Sequence, residues 1–166
     1  MGTIKITLLY LLLLLSGTAF SQDLPVLKQI KLNKNSQYKA AEPSVGKVVD
    51  YLFATPINKK NKTRNEAGQF LLRWMNGTPD FTFFLEEKET DFFNTNSELM
   101  LMYMAALTKF ALENPNIKDQ KAMVLGAMSI VLPYLNSQDD KKTWSAELWQ
   151  LNDAHQKGKL EKFLYQ

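Results

Sequence analysis

The sequence predicts an all-α fold, a single bundle of five to six helices, and three observations carry that expectation. Ala67, Phe70, Leu71, Trp74 and Met75 recur at i, i+3, i+4, i+7 and i+8, which places them on one stripe of an amphipathic helix. Two longer stretches, Leu99 to Leu112 and Ala122 to Leu132, are apolar nearly all round, the mark of helices buried at the centre of a domain. They predict a central antiparallel apolar hairpin. Beyond the few residues Phe81 to Phe84, no segment alternates apolar and polar side chains as a half-buried strand does.

The chain divides into three parts. Residues 1–21 have the layout of a secretory signal peptide: Lys5 near the start, an apolar run from Ile6 to Leu15, a break at Ser16-Gly17-Thr18, and Ala19-Phe20-Ser21 before Gln22. The apolar run is about half the ~20 residues a spanning helix needs, so cleavage and release are expected rather than anchoring. Residues 22–42 are polar, rich in lysine and without sustained periodicity, and read as a flexible basic leader. Residues 43–166 form the helical domain.

Within the domain, Pro43-Ser44 opens a helix carrying Val45, Val48, Val49, Leu52 and Phe53, and Pro56 ends it. The stripe from Ala67 to Met75 follows, stopped by Asn76-Gly77 with Pro79 beyond. Asp80 to Asn94 is the least regular stretch, room for an extended turn and one short helix. Asn96 or Ser97 caps the first apolar helix, with Glu98 in its first turn, and Asn114-Pro115 ends it. Lys118 or Asp119 starts the second, which Pro133 stops or kinks. Ser137 to Asp140 precedes a fifth helix with Trp144, Leu148 and Leu151 on one stripe. Gly158 breaks it, and Leu160, Phe163 and Leu164 close the chain in a short final helix.

Composition excludes several chemistries. The chain has no cysteine, hence no disulfide, thiolate metal site, cysteine nucleophile or thiol-linked lipid. A hydrophobic content of 45% and a charged content of 22% suit a folded domain. The net charge of +3 hides an uneven distribution. Lys28 to Arg64 holds nine basic residues against two acids, and Asp80 to Glu98 holds six acids against one lysine. The basic stretch reads as a solvated linker and helix end, and export argues against a nucleic acid as the target.

No catalytic residue, metal ligand set or cofactor motif emerges. His155 is the single histidine and has no second nitrogen or thiolate ligand. Ser129 and Ser145 lack a GxSxG context, and neither a P-loop nor a GxGxxG is present. Met100, Met102, Met104, Met123 and Met128 read as a core seam. The candidate binding residues are Trp74, Asp80, Phe81, Phe83, Phe92 and Phe93, because aromatics interleaved with acids are common in recognition patches. They suggest a non-enzymatic exported module, secreted or held in the periplasm, whose partner is another envelope or secreted protein or a peptide. The alternative is a carboxylate-dependent hydrolase of envelope polymers built on Asp80 and Glu86 or Glu87.

The segment Phe70-Leu71-Leu72-Arg73-Trp74-Met75-Asn76-Gly77-Thr78-Pro79-Asp80-Phe81-Thr82-Phe83, followed by Leu101 to Leu112 and Glu113-Asn114-Pro115, resembles a family of small secreted bacterial proteins typical of Bacteroidota. The resemblance implies export and a helical fold and assigns no activity or site residue. Ala106 and Phe110 are spaced like the small and aromatic positions of tetratricopeptide pairs, but no second copy at that period is visible.

Overall fold

The computed structural model describes residues 24–139 and 141–166. The expected signal peptide and its cut before Gln22 lie outside the described residues, as does Asp140. Among the described residues the chain is all-helical, with seven α-helices, one 3-10 turn at Leu27–Gln29 and no strand. The helices are α1 (Asn35–Ala54), α2 (Lys62–Met75), α3 (Glu87–Thr90), α4 (Ser97–Glu113), α5 (Gln120–Ser137), α6 (Ala146–Gln156) and α7 (Leu160–Tyr165).

The two apolar stretches are α4 and α5, and no other pair of helices packs as extensively. A connection of six residues joins them. Phe110, near the end of α4, lies against Gly126 of α5. A side chain at position 126 would collide with the Phe110 ring, so glycine here lets the helices approach. Met102, Ala105, Ala106 and Leu107 of α4 meet Val124, Ala127, Met128, Val131 and Leu132 of α5 in one buried core. The methionine seam is buried at Met102, Met123 and Met128 and half-buried at Met100 and Met104.

Helices α1 and α2 pack against each other and onto α4. The stripe Ala67, Phe70, Leu71 and Trp74 is buried as its spacing predicts, and so are Val45, Val48, Val49 and Leu52 of α1. Side-chain caps stop the helices where local chemistry says they should. Asn61, Asn96, Asp119 and Ser145 each accept a bond from a backbone N–H of the first turn of their helix. Gly158 has φ +66°, and the bonds from its N–H to the His155 carbonyl and from Lys159 N–H to the Ala154 carbonyl form a Schellman motif at the end of α6.

Three boundaries differ from the sequence reading. Helix α1 starts at Asn35, so Pro43 is interior to it and the expected leader 22–42 is partly helix, with Leu27 and Ala41 buried. Tertiary contact holds that first part: the Trp74 indole N–H donates to the Tyr38 carbonyl at 3.0 Å, and Lys28 pairs with Glu66 at 2.9 Å. Pro133 likewise sits inside α5, which continues to Ser137 with Leu135 buried. The fifth predicted helix begins later than expected, at Ala146 behind Ser145, with Trp144 buried just before it.

Candidate functional site

The candidate region is the connection between α2 and α4. Asn76 and Gly77 end α2, and a Cβ at Gly77 would overlap the Tyr38 ring, so α1 closes directly over the turn. From Phe81 to Glu86 the chain runs without helix, turn or bend. No backbone N–H between residues 79 and 85 finds a hydrogen-bond partner among the described residues.

The six candidate binding residues separate into two sets. Trp74 and Phe93 are fully buried: Trp74 is a core residue of α2, and Phe93 stacks on Tyr103 with ring centroids 4.7 Å apart. They hold the segment down and are not part of a surface, which corrects the expectation for both. Phe81 and Phe83 are half-buried, each against Trp74 at 5.7 and 6.3 Å, so the strand-like spacing serves to dock the segment on the indole. Phe92 is half-buried and meets Phe163 of α7 at 6.1 Å. Asp80 is exposed, 3.9 Å from the Lys39 ammonium, and its backbone carbonyl accepts from Lys118.

Sequence reasoning passed over the exposed apolar residues here. Phe84, Leu85 and Leu72 are each more than two-fifths exposed, although large and apolar. Leu72 and Leu85 rim a groove of about 590 Å³ with Phe83, Met75 and Met104. On the other side of the segment, Phe81 and Phe84 face Ile117, Lys118 and Met123 across a second groove of about 350 Å³. The Lys118 ammonium lies 5.3 Å from the centre of the Phe81 ring, a cation–π contact. The signal available in the sequence was the unbroken apolar triplet Phe83-Phe84-Leu85, which cannot all face inward from an extended chain.

Neither Asp80 nor Glu86 nor Glu87 lines either groove. Glu86 accepts from Gln120 at 2.6 Å and pairs with Lys88 at 3.1 Å. The Gln120 bond first, and then the Lys88 ammonium, hold its carboxyl below the ordinary value, the opposite of what a general acid needs. Among the described residues, no group of three or more histidines, cysteines or carboxylates is placed to hold a metal ion.

Two buried polar clusters were not legible beforehand. Arg64, counted in the sequence as part of a basic stretch, is wholly buried and bonds Glu98 through Nε at 3.1 Å. Its Nη1 donates to the carbonyls of Leu52 and Thr55 and to the Thr55 hydroxyl, and its Nη2 contacts the Met102 sulfur. One guanidinium thus caps the end of α1 and ties α1, α2 and α4 together. The second cluster lies beneath α3 and α7. Glu89 is buried with neither oxygen in a hydrogen bond, although Lys88 approaches one of them at 3.4 Å. The buried hydroxyls of Tyr103 and Tyr165 are also without a hydrogen-bond partner among the described residues. Burial, then the nearby Glu89 charge, pushes both phenols above their ordinary value.

Compared with protein-family models, with curated proteins and with solved structures, the chain matches none of them.

Proposed function

We propose that the chain is an exported, non-enzymatic binding module that takes an extended peptide or a protein segment along Phe81 to Glu86. The observation that carries the reading is the combination of unpaired backbone N–H groups with exposed Phe84 and Leu85, between two grooves on a helical support. A strand laid beside such a segment gains main-chain hydrogen bonds, and its alternate side chains reach apolar pockets. Phe81 and Phe83, seated on Trp74, fix the segment in place before a partner arrives, which lowers the ordering cost of binding. The acids flanking the segment favour a partner with basic residues beside its apolar ones.

The test is selection of extended peptides from a random display library on the purified chain, followed by affinity measurement. Phe84→Ser with Leu85→Ser should abolish binding and leave the helical circular dichroism intact, because both side chains are exposed. Selected peptides that bind this variant as well as the parent would overturn the reading. Export is tested separately by the intact mass of the protein recovered outside the cytoplasm; retention of Met1 to Ser21 would refute cleavage.

A further inference from the structure

A second surface lies at the α6–α7 corner. Helix α6 ends in the Schellman turn at Gly158, and α7 starts two residues later. The corner forms an open groove of about 660 Å³ whose apolar wall is Trp149, Ala154 and Phe163. Trp149 is 46% exposed and Phe163 41%, while the other two tryptophans, Trp74 and Trp144, are buried. Both exposed rings are braced from below: Trp149 meets Trp144 at 4.6 Å, and Phe163 meets Phe92 at 6.1 Å.

The rim is basic. Lys157, Lys159 and Lys162 surround the rings, and Asp153 is the only acid lining the groove. Asp153 pairs with Lys157 at 2.7 Å, whereas Lys159 and Lys162 have no carboxylate partner among the described residues. Glu161, the acid of α7, is turned to Lys121 at 2.6 Å. All three lysines are exposed, so they offer charge without the fixed geometry that would select one headgroup or one small anion. Projecting aromatic rings ringed by lysines combine the two attractions of an anionic bilayer surface. Rings settle at the level of the headgroups while flexible ammonium groups meet the lipid charge.

We infer that the α6–α7 corner, through Trp149 and Phe163 within the ring of Lys157, Lys159 and Lys162, is a docking surface for an anionic lipid bilayer. It lies apart from the Phe81 to Glu86 segment and does not depend on the peptide reading. No described helix is long and apolar enough to cross a membrane, so the contact is peripheral.

The experiment mixes the full chain with vesicles of phosphatidylglycerol and phosphatidylcholine, and with vesicles of phosphatidylcholine alone. Binding is read by co-sedimentation and by tryptophan emission, whose change Trp149 dominates because Trp74 and Trp144 are already buried. The expected result is sedimentation with the anionic vesicles, a blue shift absent from Trp149→Phe, and reversal by salt. Each of Lys157→Gln, Lys159→Gln and Lys162→Gln should weaken partitioning about fivefold, the equivalent of ~1 kcal/mol per lysine at an anionic surface. The urea midpoint of these exposed variants should stay at the parent value, which separates loss of docking from loss of fold. Equal partitioning to both vesicle types, or none to either, overturns the inference. So does a blue shift with monomeric dodecyl phosphate but no sedimentation with vesicles, which would mark a site for a single soluble amphiphile.

Discussion

Replacing Arg64 by methionine tests how much of the fold hangs on one buried guanidinium. Methionine preserves most of the apolar stem and removes every donor. Three losses follow from the geometry. Glu98, 9% exposed at its side chain, loses the 3.1 Å bond to Nε. The Leu52 carbonyl loses the 2.8 Å donor that caps the last turn of α1, and Thr55 loses donors to both its carbonyl and its hydroxyl. Breaking a buried pair from one side costs about 3–5 kcal/mol. Orphaning one buried carbonyl adds roughly 1–3 kcal/mol. The Thr55 carbonyl is partly spared because it also accepts from the Tyr134 hydroxyl at 2.8 Å. The total, about 4–8 kcal/mol, is a large share of the ~5–15 kcal/mol that holds a typical domain together. At a urea dependence of roughly 2 kcal/mol per molar, the unfolding midpoint should fall by ~2–4 M. Glu98→Gln is the control: it leaves the guanidinium without its counter-charge but keeps an acceptor for Nε and leaves the helix cap untouched, so it should lose less than Arg64→Met by the ~1–3 kcal/mol of the orphaned carbonyl. The assay is urea unfolding followed by circular dichroism at 222 nm. An Arg64→Met variant within about 1 kcal/mol of the parent, or a Glu98→Gln variant that loses as much, would refute the capping argument.

Other outcomes follow from the same structure. The Tyr103 phenol is raised above its ordinary value by burial, so it stays neutral in the folded chain at pH values where an unfolded tyrosine ionises. Its contribution is therefore whole below pH ~10 and is lost as pH rises further. Tyr103→Phe should flatten the alkaline fall in stability measured by urea titration between neutral and high pH. It should not destabilise at pH 7, because the hydroxyl it removes has no partner. Gly126→Ala should destabilise by on the order of 1 kcal/mol despite the better helix propensity of alanine, since its Cβ meets the Phe110 ring. Combining it with Phe110→Ala should cost less than the two separate losses added, a non-additivity readable in thermal unfolding. Asn96→Ala should cost ~1 kcal/mol in the same assay by removing the cap that accepts from Glu98 N–H at 3.0 Å.

The helices with a strong local signature were legible. The stripe from Ala67 to Met75 needs only its 3.6-residue period to be placed, and the caps at Asn96 and Asp119 act within three residues of themselves. The two proline boundaries were not. Pro43 and Pro133 are strong local breakers, yet packing carries α1 and α5 through them, with Ala41 buried on one side and Leu135 on the other. The candidate site was half legible for a related reason. The run of aromatics between Trp74 and Phe93 marks a place where rings meet, but it does not say which rings face inward. Trp74 and Phe93 became core, and Phe84 and Leu85, passed over beforehand, were left in solvent.

Some properties follow from residues acting on their near neighbours, and for these the sequence suffices: an all-helical fold, a pair of largely apolar helices at its centre, the cap that starts each, and a chemistry without thiols. Their physical cause is the period of the backbone and the reach of a short side chain, both set within a few positions. Tertiary structure alone decided that Arg64 is an internal cap, that the Glu89 carboxylate and the Tyr103 and Tyr165 hydroxyls are buried without a hydrogen bond among the described residues, and that Trp149 and Phe163 stand together beside three lysines. Each of these unites elements distant in sequence or turns a charged residue inward. Burial and charge pairing are properties of the packed assembly, and no local period encodes them.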